Sequence, residues 1–96
     1  MLPMTPREKA AVAKAARLFR DLGASQVFIF GSAVKGQLRP DSDIDMAVSG
    51  LPPRVYFSAV NQASDLVGRP VDLMDLDDDT PLVRYLRASG DLVRVA

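Results

Sequence analysis

One stretch narrows the choices for this chain more than any other. Residues 28–48 read FIFGSAVKGQLRPDSDIDMAV. A short run of apolar and aromatic residues, 26–30, is bounded by Gly23 and Gly31 and predicts a buried strand. Gly31-Ser32 closes it, ten residues intervene, and Asp43 and Asp45 open a second strand-like run that continues to Val48. Side chains alternate between the faces of a strand, so Ile44, Met46 and Val48 are expected on one side and Asp43, Asp45 and Ala47 on the other. Two carboxylates at i and i+2 then share a face, about 6.5–7 Å apart along the chain.

Each part of that pattern has chemical content. Gly31 lets the backbone leave the strand with an unusual φ and come close to a ligand. Ser32 is expected to cap a short helix over residues 33–35, which would turn its hydroxyl and the following N–H groups toward an anion. The two carboxylates repel each other unless a cation lies between them, and Mg²⁺ favours such oxygen ligands together with substrate phosphates. Alone, an Asp-x-Asp is most often a solvated pair and a Gly-Ser most often a plain turn. In the order strand, Gly-Ser, loop, Asp-x-Asp, strand, they point to nucleotide chemistry.

The arrangement Gly31-Ser32, ten residues, Asp43-x-Asp45 resembles the signature of the DNA polymerase β-type nucleotidyltransferases. The short chain and the phrase PDSDIDMAV resemble the minimal-nucleotidyltransferase branch of that superfamily. The likeness runs from about Gln26 to the end. It implies an enzyme that transfers AMP from ATP to a hydroxyl with two Mg²⁺ ions. Gly31 and Ser32 would hold the β- and γ-phosphates, and Asp43 and Asp45 would bind the metal. A basic residue is common in related sequences near Lys35, which makes Lys35 a candidate phosphate contact beside the reading of an exposed lysine. Ser42, in the same loop, joins Gly31, Ser32 and Lys35 as a candidate nucleotide-binding residue. Arg39 is a weaker candidate, and Asp41 is expected to start a turn with Pro40.

Two-metal phosphoryl transfer calls for a third carboxylate. The run 71–76, VDLMDL, predicts a third strand that offers Asp72 and Asp75 on opposite faces. If Val71 and Leu73 face the helices, Asp72 joins Asp43 and Asp45, with Asp75 the alternative should the register slip. The resemblance agrees with Asp72 and implies that it shares the second ion. The chain has no histidine, so Asp72 is also the candidate general base. Asp77, Asp78 and Asp79 read as turn formers and dipole partners ahead of a helix starting at Thr80-Pro81.

The remainder reads as scaffold. Thr5-Pro6-Arg7-Glu8 is a capping box with proline in the first turn, and Ala11, Ala15, Leu18, Phe19 and Leu22 follow at helical spacing up to Gly23. Tyr56, Ala59, Val60, Ala63, Leu66 and Val67 mark a second amphipathic helix closed by Gly68, with Tyr56 expected at the edge of the core. Leu82, Val83 and Leu86 mark a third, ended by Gly90, and Leu92, Val93 and Val95 a last edge strand. The expected fold is α/β (α+β): one domain over residues 1–96, a mixed sheet of about four strands with helices packed on one face and the acids on the other.

With 12 basic and 12 acidic residues the formal net charge is zero, which argues against a general nucleic-acid or membrane binder. There is no cysteine, so thiolate metal sites and disulfides are excluded. No apolar run approaches ~20 residues and no signal peptide is recognised, so a cytoplasmic protein is expected. On the acid face Ala47, Met74 and Leu76 are expected near the surface, and exposed apolar residues beside a charged site suggest a partner that completes it. The resemblance implies what that partner is, a helical HEPN-domain protein, with this chain as antitoxin and a tyrosine of the HEPN toxin as acceptor. Two other readings stay open at this stage: a catalytically silent antitoxin that acts by steric occlusion, and an aminoglycoside-type enzyme on a small molecule, which the expected lack of an acceptor-binding domain disfavours.

Overall fold

The computed structural model describes residues 4–39 and 41–96; Pro40, expected to help start a turn, lies outside the described residues. Thr5 opens the first helix, α1 (Pro6–Asp21), as its sequence predicts. The Thr5 hydroxyl accepts from the Glu8 N–H at 3.1 Å while the Glu8 carboxylate accepts from the Thr5 N–H at 2.8 Å, so two orphan donors are satisfied reciprocally. Val12, Ala15, Ala16 and Phe19 form its buried stripe, whereas Leu18 and Leu22 are only half-buried.

The chain continues through β1 (Gln26–Ile29), α2 (Ser32–Lys35), β2 (Ile44–Ser49), a 3-10 turn at Pro53–Val55, α3 (Tyr56–Val67), β3 (Val71–Asp75), α4 (Pro81–Ser89) and β4 (Val93–Arg94). The four strands form one mixed sheet in the order β3-β2-β1-β4. β1 runs antiparallel to β2 and β4, and β2 runs parallel to β3. A parallel neighbour needs a long crossover, and α3 supplies it. Among the described residues, no helix is long and apolar enough to cross a membrane.

Alternation divides the strands cleanly. Val27, Ile29, Ile44, Met46, Val48, Val71 and Leu73 face α1 and α3 and make the main core. Phe28, Phe30, Ala47 and Met74 point the other way. The expected apolar surface on that side is largely covered, because α4 lies across it; of the three residues expected there, Met74 alone stays half-exposed. Val83 of α4 packs with Ala47 and Leu76, leaving Ala47 fully buried and Leu76 3% exposed. The helices therefore cover most of one face and part of the other. The run after β3 is short, and Thr80 starts α4 with its hydroxyl accepting from the Val83 N–H at 3.2 Å, so the helix folds back over the strand it has just left.

Candidate active site

The half of that second face which α4 leaves open carries the acids. Asp45 on β2 and Asp72 on β3 are register partners. Both project from the face opposite α1 and α3, on neighbouring strands about 4.8 Å apart. Asp43 comes just before β2, which begins at Ile44, and is exposed; it is not itself a strand residue. Burial pushes the Asp45 carboxyl above its ordinary value, and the negative charges of Asp72 and then Asp43 push it further. The structure thus sets Asp72 beside Asp45 and leaves Asp43 close enough for its charge to act on Asp45. Asp75 lies elsewhere: its carboxylate accepts from the Asp77 N–H at 2.9 Å, and it borders a cleft of about 410 Å³ with Pro53, Tyr56, Phe57 and Asp78.

Gly31 is pressed against Asp45. Its φ of 67° and ψ of −138° suit glycine alone, and a Cβ there would overlap the Asp45 carboxylate. The Phe30 N–H donates to the Asp45 carbonyl at 3.1 Å, which sews the end of β1 to the acid. Gly31, not Ser32, is the N-cap of α2, and Ser32 is the first helical residue. The correction has a simple cause, since the backbone turns at the residue able to take the positive φ. Val34 and Lys35 N–H groups both return to the Gly31 carbonyl, at 3.1 and 3.2 Å. Lys35 is exposed at the end of α2, and a polar cleft of about 600 Å³ lies beside it, lined by Ser32, Gly36, Gln37, Leu38 and Arg39.

Ser42 is engaged within its own loop. Its hydroxyl accepts from the Arg39 N–H and its N–H donates to the Arg39 carbonyl, both at 3.0 Å. Arg39 and Asp41 are exposed. Arg69, which the sequence did not single out, reaches this loop and donates to the Arg39 carbonyl at 2.9 Å and the Ser42 carbonyl at 3.4 Å. Its position between Gly68 and Pro70 gave no signal beyond a turn. Tyr56 sits at the core edge, its hydroxyl donating to the Leu73 carbonyl and its ring meeting Phe57 edge-on at 6.2 Å. Asp77 also exceeds its expected role as a turn former: it accepts from the Ser49 hydroxyl and the Gly50 N–H, both at 2.7 Å.

Among the described residues, no three His, Cys, Asp or Glu side chains close round a common point as a metal cage. Asp43, Asp45 and Asp72 are instead an open set of hard oxygen donors. Mg²⁺ is commonly held that way, by one or two carboxylates completed by water and substrate phosphates. The space that a Cβ on Gly31 would fill keeps the approach to Asp45 clear. These residues fit the ion.

The model of the family described as polymerase beta, nucleotidyltransferase matches residues 14–93. No curated protein matches the chain. Among solved structures, a toxin–antitoxin complex with AMP-PNP is 22% identical with a TM-score of 0.68, the match covering 94% of this chain and 72% of the other. A complex of tri-AMPylated Shewanella oneidensis HEPN toxin with MNT antitoxin is also 22% identical, with a TM-score of 0.66 over 91% and 70% of the two chains. A chain assigned as a minimal nucleotidyltransferase is 26% identical, with a TM-score of 0.65 over 93% and 88%. The family match spans the Gly31 turn and all three grouped acids, and the protein therefore belongs to the polymerase β nucleotidyltransferase family.

Proposed function

We propose that this chain is a Mg²⁺-dependent adenylyltransferase of the minimal-nucleotidyltransferase kind that moves AMP from ATP to a tyrosine hydroxyl of a HEPN-type toxin, and so acts as the antitoxin of the pair. One observation carries the reading: Gly31 abuts the Asp45 carboxylate while Asp72 stands opposite on the next strand. A turn free of side chain and a set of carboxylates that, among the described residues, have no basic partner suit a polyphosphate with its cation. The structural relatives add support, since one contains AMP-PNP and another a tri-AMPylated HEPN toxin. The cytoplasm, where ATP is made, is the compartment this chemistry calls for.

In this reading the Gly31-Ser32 turn cradles the β- and γ-phosphates, with the leading N–H groups of α2 and the Ser32 hydroxyl as donors. Lys35, exposed at the end of that turn, adds a point charge for the phosphates. Asp43 and Asp45 would hold one Mg²⁺, and Asp72 would help hold a second. When bound, the ions supply charge neutralisation on the phosphates. Asp72 takes the proton of the acceptor hydroxyl as that oxygen bonds to the α-phosphorus, and the bond to the β-phosphate breaks to release pyrophosphate. Ser42 shapes the loop by accepting from the Arg39 N–H, and its hydroxyl proton can still donate to a nucleotide phosphate.

The test uses ATP labelled at the α-phosphate, Mg²⁺, this chain and a HEPN-domain partner, with Asp43→Asn in parallel. Label on the partner, lost in the variant, is the expected result. A tight complex without label would overturn the enzymatic reading and leave an antitoxin that works by occlusion. Label on a small aminoglycoside instead of the partner would overturn the choice of acceptor.

A further inference from the structure

We propose that Arg69 is a positioning residue that holds the loop ahead of Asp43 in register with the strand that delivers Asp72. The inference rests on the reading of those carboxylates as metal ligands. Asp72 lies within β3 and is placed by strand pairing. Asp43 has no such support, because it is exposed and precedes β2. Its position must come from the residues on either side.

Both sides lead to the same dipeptide. On one flank, the Arg69 guanidinium donates through one nitrogen to the Arg39 carbonyl at 2.9 Å and the Ser42 carbonyl at 3.4 Å. On the other, the Ile44 N–H donates to the Pro70 carbonyl at 3.0 Å. Arg69-Pro70 directly precedes Val71-Asp72 in the chain. Asp43 is therefore bracketed by bonds to the foot of the strand that carries Asp72. The loop gives the guanidinium something firm to hold, since Arg39 and Ser42 are closed on each other by two bonds of 3.0 Å.

The bonds also separate this role from simple charge pairing. Arg69 is half-buried and is spent on backbone carbonyls, which fix the path of the chain. A planar guanidinium can serve two carbonyls in a set geometry, whereas an ammonium is a point donor. Partners one shell away from metal ligands typically change metal affinity by about 10–100-fold when removed.

The experiment measures Mn²⁺ binding by electron paramagnetic resonance in the presence of a non-hydrolysable ATP analogue, with thermal unfolding recorded alongside. The native chain is compared with Arg69→Ala, Arg69→Lys and Asp43→Asn. Arg69→Ala is expected to bind Mn²⁺ about 10-fold more weakly at a temperature where it remains folded. The Mg²⁺ needed for half-maximal transfer should rise in parallel, with kcat falling more than KM for ATP changes. Arg69→Lys keeps one donor and should recover part of the loss; it carries the test if the alanine variant does not fold. Unchanged Mn²⁺ affinity in a folded Arg69→Ala or, where that variant does not fold, in Arg69→Lys, with Asp43→Asn clearly weakened, would overturn this inference and leave the metal reading intact. Native affinity in Asp43→Asn would overturn the metal reading itself, and this inference with it.

Discussion

Two acidic groups lie at opposite ends of the paired strands β2 and β3, and they are treated differently. At the start of the strands, Asp43, Asp45 and Asp72 stand together with Asp45 pushed toward its protonated form by burial and by its neighbours. At the far end, Asp77 is drawn toward its ionised form, first by the Gly50 N–H and then by the Ser49 hydroxyl. There Asp75 accepts from the Asp77 N–H, and Asp79 pairs with Arg84 at 3.3 Å. The lesson is that carboxylates used to build structure collect donors from their own chain. Those that face only one another hold a charge the fold does not neutralise, which suits a ligand that brings the neutralising charge. Aspartate crowds both ends, so composition alone does not distinguish the groups.

The largest effect is expected from Asp45→Asn. Loss of metal-borne charge neutralisation should cost several kcal/mol of transition-state stabilisation, about 10³-fold in transfer rate or more. Stability should move the other way. Because the folded state raises the Asp45 pKa, its ionised form costs stability at neutral pH, and that cost fades as pH falls through the raised value toward 3.8. Asp45→Asn should thus melt at or above the native temperature at pH 7, with the gap closing in acid. A variant that melts lower at pH 7 would contradict the sign.

Gly31→Ala joins the two effects. The backbone angles are strained for alanine, at about 1–3 kcal/mol, and the new Cβ displaces the Asp45 carboxylate. A shift of that kind should cost about 10²-fold in transfer rate. Steady-state kinetics and urea unfolding would test both parts, and a fully active Gly31→Ala would rule out the close approach.

At the other acidic group the expectation reverses. Asp77→Ala removes two hydrogen bonds to an exposed carboxylate, so about 1 kcal/mol of stability should be lost with transfer retained. Its depressed pKa means the contribution is complete above 3.8 and disappears as pH falls through the lower folded value. The native and Asp77→Ala unfolding curves should accordingly converge in acid. The smallest effect belongs to Arg84→Ala, whose ion pair with Asp79 is exposed on both sides; under 0.5 kcal/mol is expected from urea midpoints. A large loss there would mean that the surface pair holds α4 in place.

Much of this was readable from the chain because the signals are local. The Thr5–Glu8 cap acts over one helical turn, and its two bonds appear as expected. The alternation of Ile44, Met46 and Val48 predicted which way Asp45 points, and the parallel register then set Asp72 opposite Asp45, the partner expected in preference to Asp75. Local rules were less able to choose between adjacent residues. Gly31 took the capping position because a positive φ outweighs the hydroxyl of Ser32 there. Three residues of one acidic run, 77–79, looked alike in sequence, yet only the approach of Ser49 and Gly50 made Asp77 a staple between strand ends.

The amino-acid sequence by itself determined the order of helices and strands, the glycine turn and the spacing of the carboxylates, since each depends on backbone geometry within a few residues. Tertiary structure alone decided three further points. α4 was laid over Ala47 and Leu76 because the sheet offered it an uncovered apolar half. Asp43 was bracketed by residues at the foot of β3, some 30 positions away in the case of Arg69 and Arg39. Among the described residues, no side-chain donor reaches Asp43, Asp45 or Asp72, because the chain places its hydroxyls and guanidinium groups elsewhere. These outcomes depend on which segments meet across the sheet, and such meetings are set by the packing of the whole core, not by the pattern of any one stretch.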